Sequence, residues 1–474
     1  MGDGQQELVD WYLAAFPAVR QELGLPFGGF GPQGAEALAQ RLAAAERWVD
    51  AARAGDAMRL ARRALHEAQD TNSAALAESV LTALLQSELQ GTGREEVLAA
   101  IPQALAGPAA AGQDPRELDQ AARAAALAAG LLIAIGAKPE ESASGEPKAM
   151  AFMALEHHVR ALDLRRDSAA VRAPMGAHAL HDLWRDELGS YLVPKELAEA
   201  ALVRMDAERH EAVRLAREIA PGTDMPDLLA ELGEDCPDGP QELMAAYDET
   251  QAELIEAVGG DFPEVAAPRL EPGPSHLHGL LPLAAYVPPG LAGGRGRLLV
   301  FAGQGPMRAM HMRSRLALTV AQAGVPGSHL LFSSLPKGAT ALRILVSPHI
   351  ATGWSSYAQA YVAERLQRPK VRLVQALDAA QRAARAFADL ALHAGLAPEE
   401  RILEVLGRPQ GLPEELQRAE LQAIWRRPLS GAGPWWLEQA IRDDVREMRR
   451  SGLGPAQAHG RILLRGGMPQ GVAR

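Results

Sequence analysis

Apolar residues recur at helical spacing along most of this chain. The helices that this spacing predicts in the first half lie at 8–23, 35–70, 73–90, from Pro115 onward, and within 150–256. The stretch 193–220 contains no helix breaker, so it predicts one long helix. Asp114, directly before Pro115, is a residue type that caps helix starts.

The pattern changes at 259–279, which is dense in Pro and Gly, and the best strand candidate, 297–302, follows it. The helices predicted after the strand lie at 308–323, 328–335, 340–365, 371–393, 398–405, 413–426 and 434–451. We therefore expect a mainly α fold with a small sheet within about 280–305. The polar segment 136–149 predicts a boundary between an N-terminal helical region, 1–149, and a larger helical domain, 150–474.

The composition agrees with a helical protein and excludes some classes of partner. Aromatic residues make up 4% of the chain, and the formal net charge is −11 with no basic stripe, so nucleic acid is not an expected partner. The longest apolar run, 124–137, is shorter than the ~20 residues that a membrane span needs. The single cysteine, Cys236, allows no intrachain disulfide, and the N-terminus has no signal-peptide pattern. We expect a cytoplasmic protein that does not enter a membrane.

Six histidines form three close pairs along the chain. These pairs are His157 with His158, His178 with His181, and His276 with His278. None has a Glu or Cys nearby at a metal-binding spacing, and adjacent residues on a helix face different directions, so we expect surface or core positions for them. The chain also contains neither a GxSxG nucleophile elbow nor a complete dinucleotide-binding GxGxxG motif.

Two segments carry the most specific pattern in the sequence. The first reads QAGVPGSHLL at 322–331, and the second reads TGWSSYAQ at 352–359. Together they resemble HExxPGHHxQ and EGWxxYxE, the paired motifs of a bacterial domain-of-unknown-function family of predicted zinc peptidases. The scaffold residues that match are Pro326, Gly327, Gly353, Trp354 and Tyr357. Most positions that would carry chemistry do not match.

Shorter fragments in the same order extend the resemblance over roughly 170–470. The segment 383–407 is similar to a family helix with an Asp and a Leu-His pair, here Asp389 and His393, and Glu420 lies near a family Glu. The tail at 458–469 is similar to a closing FHDxxLxxGxxP motif. The resemblance implies a large helical metallopeptidase-like domain, of the gluzincin or carboxypeptidase-like type, with the small sheet near its site.

The resemblance also implies where zinc and its catalytic base would lie. The residues at those degenerate motif positions are Gln322, Ala323, Ser328, His329 and Thr352. His329 is the only good zinc donor among them, because amides and hydroxyls bind zinc poorly and alanine cannot act as a base. We therefore expect no metal, no other cofactor and no catalytic residue here. A replacement ligand, His311 or His349, remains an alternative.

Polar residues at other family positions could still form a binding cleft. The cleft candidates are His329, Tyr357, Gln359, Asp389, His393, Glu420 and His459. Buried polar groups must be hydrogen-bonded or meet a ligand, so this set predicts either a binding pocket or a purely structural network. The sequence favours neither.

Three functions fit these observations. The first is a pseudoenzyme: a catalytically degenerate, zinc-peptidase-like protein that binds a peptide or protein partner through the retained cleft. The second is an active hydrolase-like enzyme with substitute ligands or a remodelled, metal-independent pocket, built for example on Asp389 and His393 or on His459. The third is a helical subunit that binds an active paralogue, in a homo- or hetero-oligomer. The loss of zinc donors favours the pseudoenzyme.

Overall fold

The computed structural model describes most of the chain and divides into two compact units. The described residues are 3–16, 19–23, 25, 27–30, 35–51, 55–69, 73–106, 115–166, 174–278, 281, 283–290, 294–302, 305–336 and 340–468. Unit 1 comprises Met1–Ala173 with Gly290–Gly293, and unit 2 comprises Pro174–Pro289 with Gly294–Arg474.

Unit 1 is built from helices that share an apolar core. They are α1 (Asp3–Ala15), α2 (Val19–Glu22), α3 (Ala35–Ala51), α4 (Gly55–Gln69), α5 (Ser73–Gln90), α6 (Arg94–Leu105), α7 (Pro115–Ala134) and α8 (Pro147–Arg166). Helix α7 packs on α5 and α8, and α6 packs on α8, with Leu84, Ile101 and Leu132 fully buried. The boundary predicted between 149 and 150 lies inside α8, which belongs to this core because its apolar face packs on α6 and α7.

Unit 2 contains the other described helices around a central one. They are α9 (Ala177–Leu188), α10 (Pro194–Ile219), α11 (Met225–Glu234), α12 (Gly239–Val258), α13 (Arg313–Ala323), α14 (Ser328–Ser333), α15 (Thr340–Leu345), α16 (Pro348–Leu366), α17 (Pro369–His393), α18 (Glu399–Gly407), α19 (Glu414–Arg426), α20 (Ala432–Arg450) and α21 (Pro455–Leu463). Helix α17 packs on α10, α13, α16, α18, α19 and α20. Its many buried alanines leave room for this close packing on several sides.

Helix boundaries follow from local residues, and several predictions need correction. The segments predicted as helical over 8–23 and 35–70 each contain two helices, α1 with α2 and α3 with α4. The segment predicted as a single helix over 340–365 is two helices, α15 and α16, because the chain breaks at Ser347 and Pro348. The Ser347 hydroxyl accepts a hydrogen bond from the Ile350 amide at 3.4 Å, and Pro348 occupies the first helical position, where it needs no amide hydrogen. The long helix predicted over 193–220 is confirmed as α10, which also starts at a proline.

A three-stranded sheet lies in unit 2 and is larger than predicted. Its strands are β1 (Arg269–Pro272), β2 (Ala284–Val287) and β3 (Arg297–Val300). The order is β1-β3-β2, with β1 parallel and β2 antiparallel to the central β3. The prediction within 280–305 included β2 and β3 but missed β1, because its surroundings are rich in Pro and Gly and it gains its hydrogen bonds only from β3.

Among the described residues, no helix is both long enough and apolar enough to cross a membrane.

Candidate functional site

The two motif segments lie against each other in unit 2. The first is the end of α13, the turn 324–327 and the start of α14, and the second is the first half of α16. Trp354 of α16 is fully buried, and its indole N–H donates to the carbonyl oxygens of Pro326 at 2.9 Å and Gly327 at 3.1 Å. The tryptophan of the second motif therefore fixes the Pro-Gly turn of the first.

Glycine is required at two positions of this junction for steric reasons. A Cβ atom on Gly327 would lie 2.0 Å from the carbonyl oxygen of Gln322, and a Cβ atom on Gly353 would lie 2.6 Å from Cβ of Leu437 on α20. Both distances are far below van der Waals contact, so a side chain at either position would separate the packed backbones. The scaffold residues that match the family motifs thus have a packing role here.

Neutral side chains occupy most of the positions that the motif resemblance assigns to zinc and a catalytic base. The Gln359 amide on α16 donates to Oε1 of Gln322 at 3.1 Å, and the hydroxyls of Ser328 and Ser355 lie 2.9 Å apart. Ser355 and Gln359 are one helical turn apart, so the two contacts run side by side between α16 and the first motif segment. Gln322 is exposed to solvent.

Ala323 and Thr352 are two further positions of the motif resemblance. Ala323 is almost fully buried at the end of α13, and Thr352 is exposed on the first turns of α16. Neither side chain can bind zinc strongly or act as a general base.

His329, the one good zinc donor among the positions of the motif resemblance, uses both ring nitrogens within the fold. Its Nε2 lies 2.7 Å from the carbonyl oxygen of Ala266, which can only accept, so this nitrogen carries the hydrogen. Its Nδ1 then accepts from the hydroxyl of Tyr286 on β2 at 3.0 Å. Burial lowers the pKa of His329, which favours the neutral ring. Tyr286 of the sheet and the carbonyl group of Ala266, which precedes β1, therefore fix the position of His329.

The residues at the motif positions do not fit a zinc ion. Zinc sites need about three N, S or carboxylate donors, whereas this junction offers amides, hydroxyls and one histidine with both nitrogens hydrogen-bonded. Among the described residues, no three His, Cys, Asp or Glu side chains are grouped so that they could hold a metal ion.

Neither suggested replacement ligand belongs to a group of three or more His, Cys, Asp or Glu side chains that could hold a metal ion, within the described residues. His311 is buried, with Nε2 2.8 Å from the carbonyl oxygen of Phe301 and Nδ1 3.2 Å from the hydroxyl of Tyr247. Burial lowers the pKa of His311, as it does for His329. His349 is half-buried on the first turn of α16.

The paired histidines occupy surface and core positions. His157 and His178 are exposed, and His158 is buried on α8. His181 contacts the backbone oxygen of Leu192 at 2.9 Å. His276 and His278 lie half-buried near β1, where His278 contacts the carbonyl oxygen of Gly273 at 3.3 Å.

Tyr357 and His459 form a buried pair beside the second motif. The tyrosine hydroxyl lies 2.7 Å from Nε2 of His459, whose Nδ1 lies 2.6 Å from the carbonyl oxygen of Asp261. Because that carbonyl only accepts, Nδ1 carries the hydrogen and Nε2 accepts from the tyrosine. Burial lowers the pKa of His459 to about 4 and raises that of Tyr357. The pair is closed within the core, and the ring of Phe262 stacks on His459.

Asp389 and His393 form a second closed network, at the start of α20. Asp389 is fully buried and accepts from the backbone amides of Leu429, Gly431 and Ala432 at 2.8–3.1 Å. His393 lies 3.6 Å from the same carboxylate and 3.1 Å from the carbonyl oxygen of Ile424. Burial raises the pKa of Asp389, whereas the nearby histidine and the three amides act in the opposite direction.

The cleft candidates take part in several local hydrogen-bond and ion-pair networks. Glu420 of α19 forms an ion pair with Arg385 of α17, Tyr357 pairs with His459, and His329 faces the sheet. Of the candidates, Gln359 contacts the first motif directly. Packing separates the others, because each polar group finds its partner on a different neighbouring helix or strand.

A family comparison agrees with the motif pattern. The family model described as "Bacterial protein of unknown function (DUF885)" matches residues 30–431. The chain belongs to the DUF885 family. This match begins well before 170, where the motif resemblance starts, so most of unit 1 is part of the family pattern as well.

Solved structures share the fold over nearly the whole chain. One is described as "a putative lipoprotein of unknown function from Shewanella oneidensis", with a TM-score of 0.72, 12% identity, and coverage of 99% of this chain and 98% of that one. Another is "the putative lipoprotein from Colwellia psychrerythraea", with a TM-score of 0.70, 13% identity and the same coverage. At this identity the likeness concerns the fold alone. No curated protein matches the chain.

Sequence reasoning missed the charged residues next to the motif of this DUF885 member. Arg382 of α17 donates to Oε1 of Gln359 at 3.3 Å and, through Nε, to Glu438 of α20 at 3.2 Å. Arg442 approaches the same glutamate at 3.6 Å. Glu438 and Arg442, four residues apart on the otherwise apolar face of α20, were the available signal, because charges on a buried face need partners.

Proposed function

We propose that this DUF885 member is a non-hydrolytic, zinc-peptidase-like protein that binds a peptide or protein segment where its two motif segments meet. The observation that carries the proposal is the pair of neutral contacts, Gln359 with Gln322 and Ser328 with Ser355. Gln322 and Ser328 lie where the resemblance implies zinc ligands, and amides and hydroxyls are poor ligands for zinc.

The same groups are suited to a peptide. A peptide backbone offers alternating N–H donors and C=O acceptors, which amides and hydroxyls can match without a charge. Gln322 and Thr352 are exposed, so their polar groups are accessible to such a segment. The rigid attachment of the turn by Trp354 keeps this surface in one shape before binding, which reduces the entropic cost of recognition.

Metal content and hydrolysis test the loss of zinc chemistry. We expect the natural chain, dialysed against zinc, to retain no stoichiometric metal and to cleave no peptide in a chelator-sensitive way. The matched variant carries Gln322→His, Ala323→Glu, Ser328→His and Thr352→Glu together, and it controls for whether the scaffold can present a metal site. One tightly bound zinc per natural chain, or chelator-sensitive cleavage by it, would overturn the proposal.

Peptide binding tests the second part of the proposal, that the surface where the two motif segments meet binds a peptide. A set of defined synthetic peptides is screened by fluorescence anisotropy against the natural chain and two surface variants. Thr352→Trp places a bulky ring at the motif surface, and His178→Trp places one on α9, where the side chain is 94% exposed. We expect the first variant to weaken binding by about tenfold or more and the second to leave it unchanged. Equal binding by all three proteins would contradict a motif-surface site, as would a screen in which no peptide binds.

A further inference from the structure

Helix α7 of unit 1 contains the longest apolar run of the chain, and one side of this run is exposed. No charged or polar side chain occurs between Arg123 and Lys138. A helix segment that is apolar on every side is typical of a protein interior. Helices α5 and α8 pack on α7, where Ala125, Ala128 and Leu132 are buried. The exposed side, which we call the α7 face, consists of Ala126, Leu127, Gly130, Ile133 and Ala134.

Large apolar side chains are exposed on and beside the α7 face. Leu127 is 48% exposed and Ile133 is 47% exposed. Met150 is also exposed, on the first turn of α8, two residues after Lys148, whose ammonium donates to the carbonyl oxygen of Ile135 at 3.3 Å. Within the described part of unit 1, these three are the exposed large apolar residues. Their concentration at α7 indicates an interaction surface, because large apolar patches are uncommon on monomeric proteins.

Gly130 lies at the centre of the α7 face, and packing within the chain does not require a glycine there. Apart from the backbone next to it in α7, a Cβ atom on Gly130 would have no described heavy atom within 4 Å. Glycine destabilises the interior of a helix relative to alanine. A second helix that crosses α7 at this point would explain the glycine, because two backbones approach closely where no side chain separates them.

The α7 face has similar residues at equal distances on both sides of Gly130. Leu127 and Ile133 lie three residues before and after it, and Ala126 and Ala134 lie four residues before and after it. A two-fold axis through Gly130 would relate two antiparallel α7 helices. It would place Leu127 of one copy against Ile133 of the other, and alanine against alanine. This self-complementarity is what a symmetric dimer needs, so it favours a second copy of this chain as the partner.

Charges at the ends of the α7 face agree with the antiparallel arrangement. Arg123 is exposed on the same side of α7, two helical turns before Gly130. It would lie about 10 Å from the two-fold axis, whereas α7 of the other copy ends at Ala134, about 6 Å from that axis. Arg123 would thus lie just beyond the C-terminal end of the other α7, which carries a partial negative charge. A lipid surface would instead favour several basic residues around the apolar face.

We propose that two copies of this chain associate through their α7 faces as an antiparallel, two-fold symmetric helix pair that crosses at Gly130. The α7 face spans roughly 12 Å along the helix and about 10 Å across it, so the dimer buries on the order of several hundred Å² in total. Stable interfaces bury about 1,200–2,000 Å², and the dimer therefore exchanges readily with the monomer. The proposal does not depend on peptide binding, because α7 belongs to unit 1 and the motif segments belong to unit 2.

Sedimentation velocity of the full chain tests the association. We expect a reversible dimer with a Kd of about 10–500 µM, in keeping with the small interface. Leu127→Glu places a carboxylate opposite Ile133 of the other copy and should weaken the dimer at least tenfold. The control is Leu416→Glu on α19, where the leucine is 52% exposed, and it should leave the Kd unchanged. A chain that stays monomeric over this range, or equal Kd values for both variants, would overturn the proposal.

Vesicle flotation tests the competing occupant of the α7 face. The vesicles contain phosphatidylcholine and phosphatidylglycerol, and we expect the natural chain and Leu127→Glu to remain equally unbound. If the natural chain floats with the vesicles and Leu127→Glu does not, the α7 face binds lipid and the dimer proposal fails.

Variants at Gly130 test the crossing point separately from the fold. Gly130→Leu should keep or raise the thermal stability of the monomer, because there is space for a Cβ atom and leucine favours helix. It should weaken the dimer at least tenfold, because its side chain separates the two helices. Gly130→Cys, combined with Cys236→Ser, should form a disulfide between copies in oxidised glutathione, whereas Leu464→Cys in the same background should not. An unchanged dimer in Gly130→Leu, or equal cross-linking of both cysteine variants, would contradict a crossing at Gly130.

Discussion

The contact of Trp354 with the Pro-Gly turn gives a prediction about local stability. In Trp354→Phe, the aromatic ring remains but the indole donor to Pro326 and Gly327 is lost. The carbonyl of Gly327 also accepts from the Leu331 amide at 3.1 Å, so it keeps a partner. The buried carbonyl of Pro326 loses the donor that lies 2.9 Å away. One unsatisfied buried acceptor costs roughly 1–3 kcal/mol, in addition to the packing lost with the smaller ring.

Trp435→Phe is the matched control for the packing loss. Trp435 lies on α20, is 5% exposed, and its indole N–H has no hydrogen-bond partner among the described residues. This substitution therefore removes a similar volume of buried ring without removing a hydrogen bond. The difference between the two variants isolates the polar contribution, which we expect to be about 1–3 kcal/mol.

Hydrogen exchange is the suitable assay because two units need not unfold as one two-state system. Peptides covering 321–333 and 348–366 report on the motif junction after digestion and mass spectrometry. We expect Trp354→Phe to accelerate exchange there by about 5–150-fold relative to Trp435→Phe. If Trp435→Phe accelerates exchange in these segments as much as Trp354→Phe, the indole contact does not stabilise the turn and the reasoning is refuted.

Two further predictions concern the closed polar networks. The pKa of His459 is about 4 in the folded chain against an ordinary 6.5, so between these pH values the unfolded chain binds a proton that the folded chain does not. The contribution of His459 to the free energy of unfolding is therefore complete above about pH 6.5. It falls toward pH 4 by roughly 1.4 kcal/mol per pH unit. The difference in urea stability between the natural chain and His459→Asn should therefore shrink over that interval, and a constant difference would contradict the burial argument. Asp389→Asn should cost about 2–4 kcal/mol by thermal unfolding, because the amide cannot accept from three backbone N–H groups as the carboxylate does. Asp443→Asn, whose side chain on α20 is 75% exposed, is the control, and an equal loss in both variants would exclude a special role for the network.

The sequence by itself determined the helical class of the chain and the location of its two motif segments along it. Apolar spacing is a local property, so α10 and α17 could be predicted with bounds close to those observed. The types of residue at the motif positions also predict, from side-chain chemistry alone, that zinc is not bound there, and this stays a prediction. The break at Ser347 and Pro348 is also a local signal in the sequence, because a serine followed by a proline is typical of the start of a helix.

Only the tertiary structure decided which polar groups meet. Gln359 and Gln322 are 37 residues apart in sequence, and Tyr357 and His459 are 102 apart. Helical spacing indicates which face of a helix is buried but not which neighbour covers it, so the predicted cleft residues could not be assigned to separate networks in advance. The pairing of β1 with β3 and the ion pair of Arg382 with Glu438 could not be predicted either, since each joins elements that are distant in sequence.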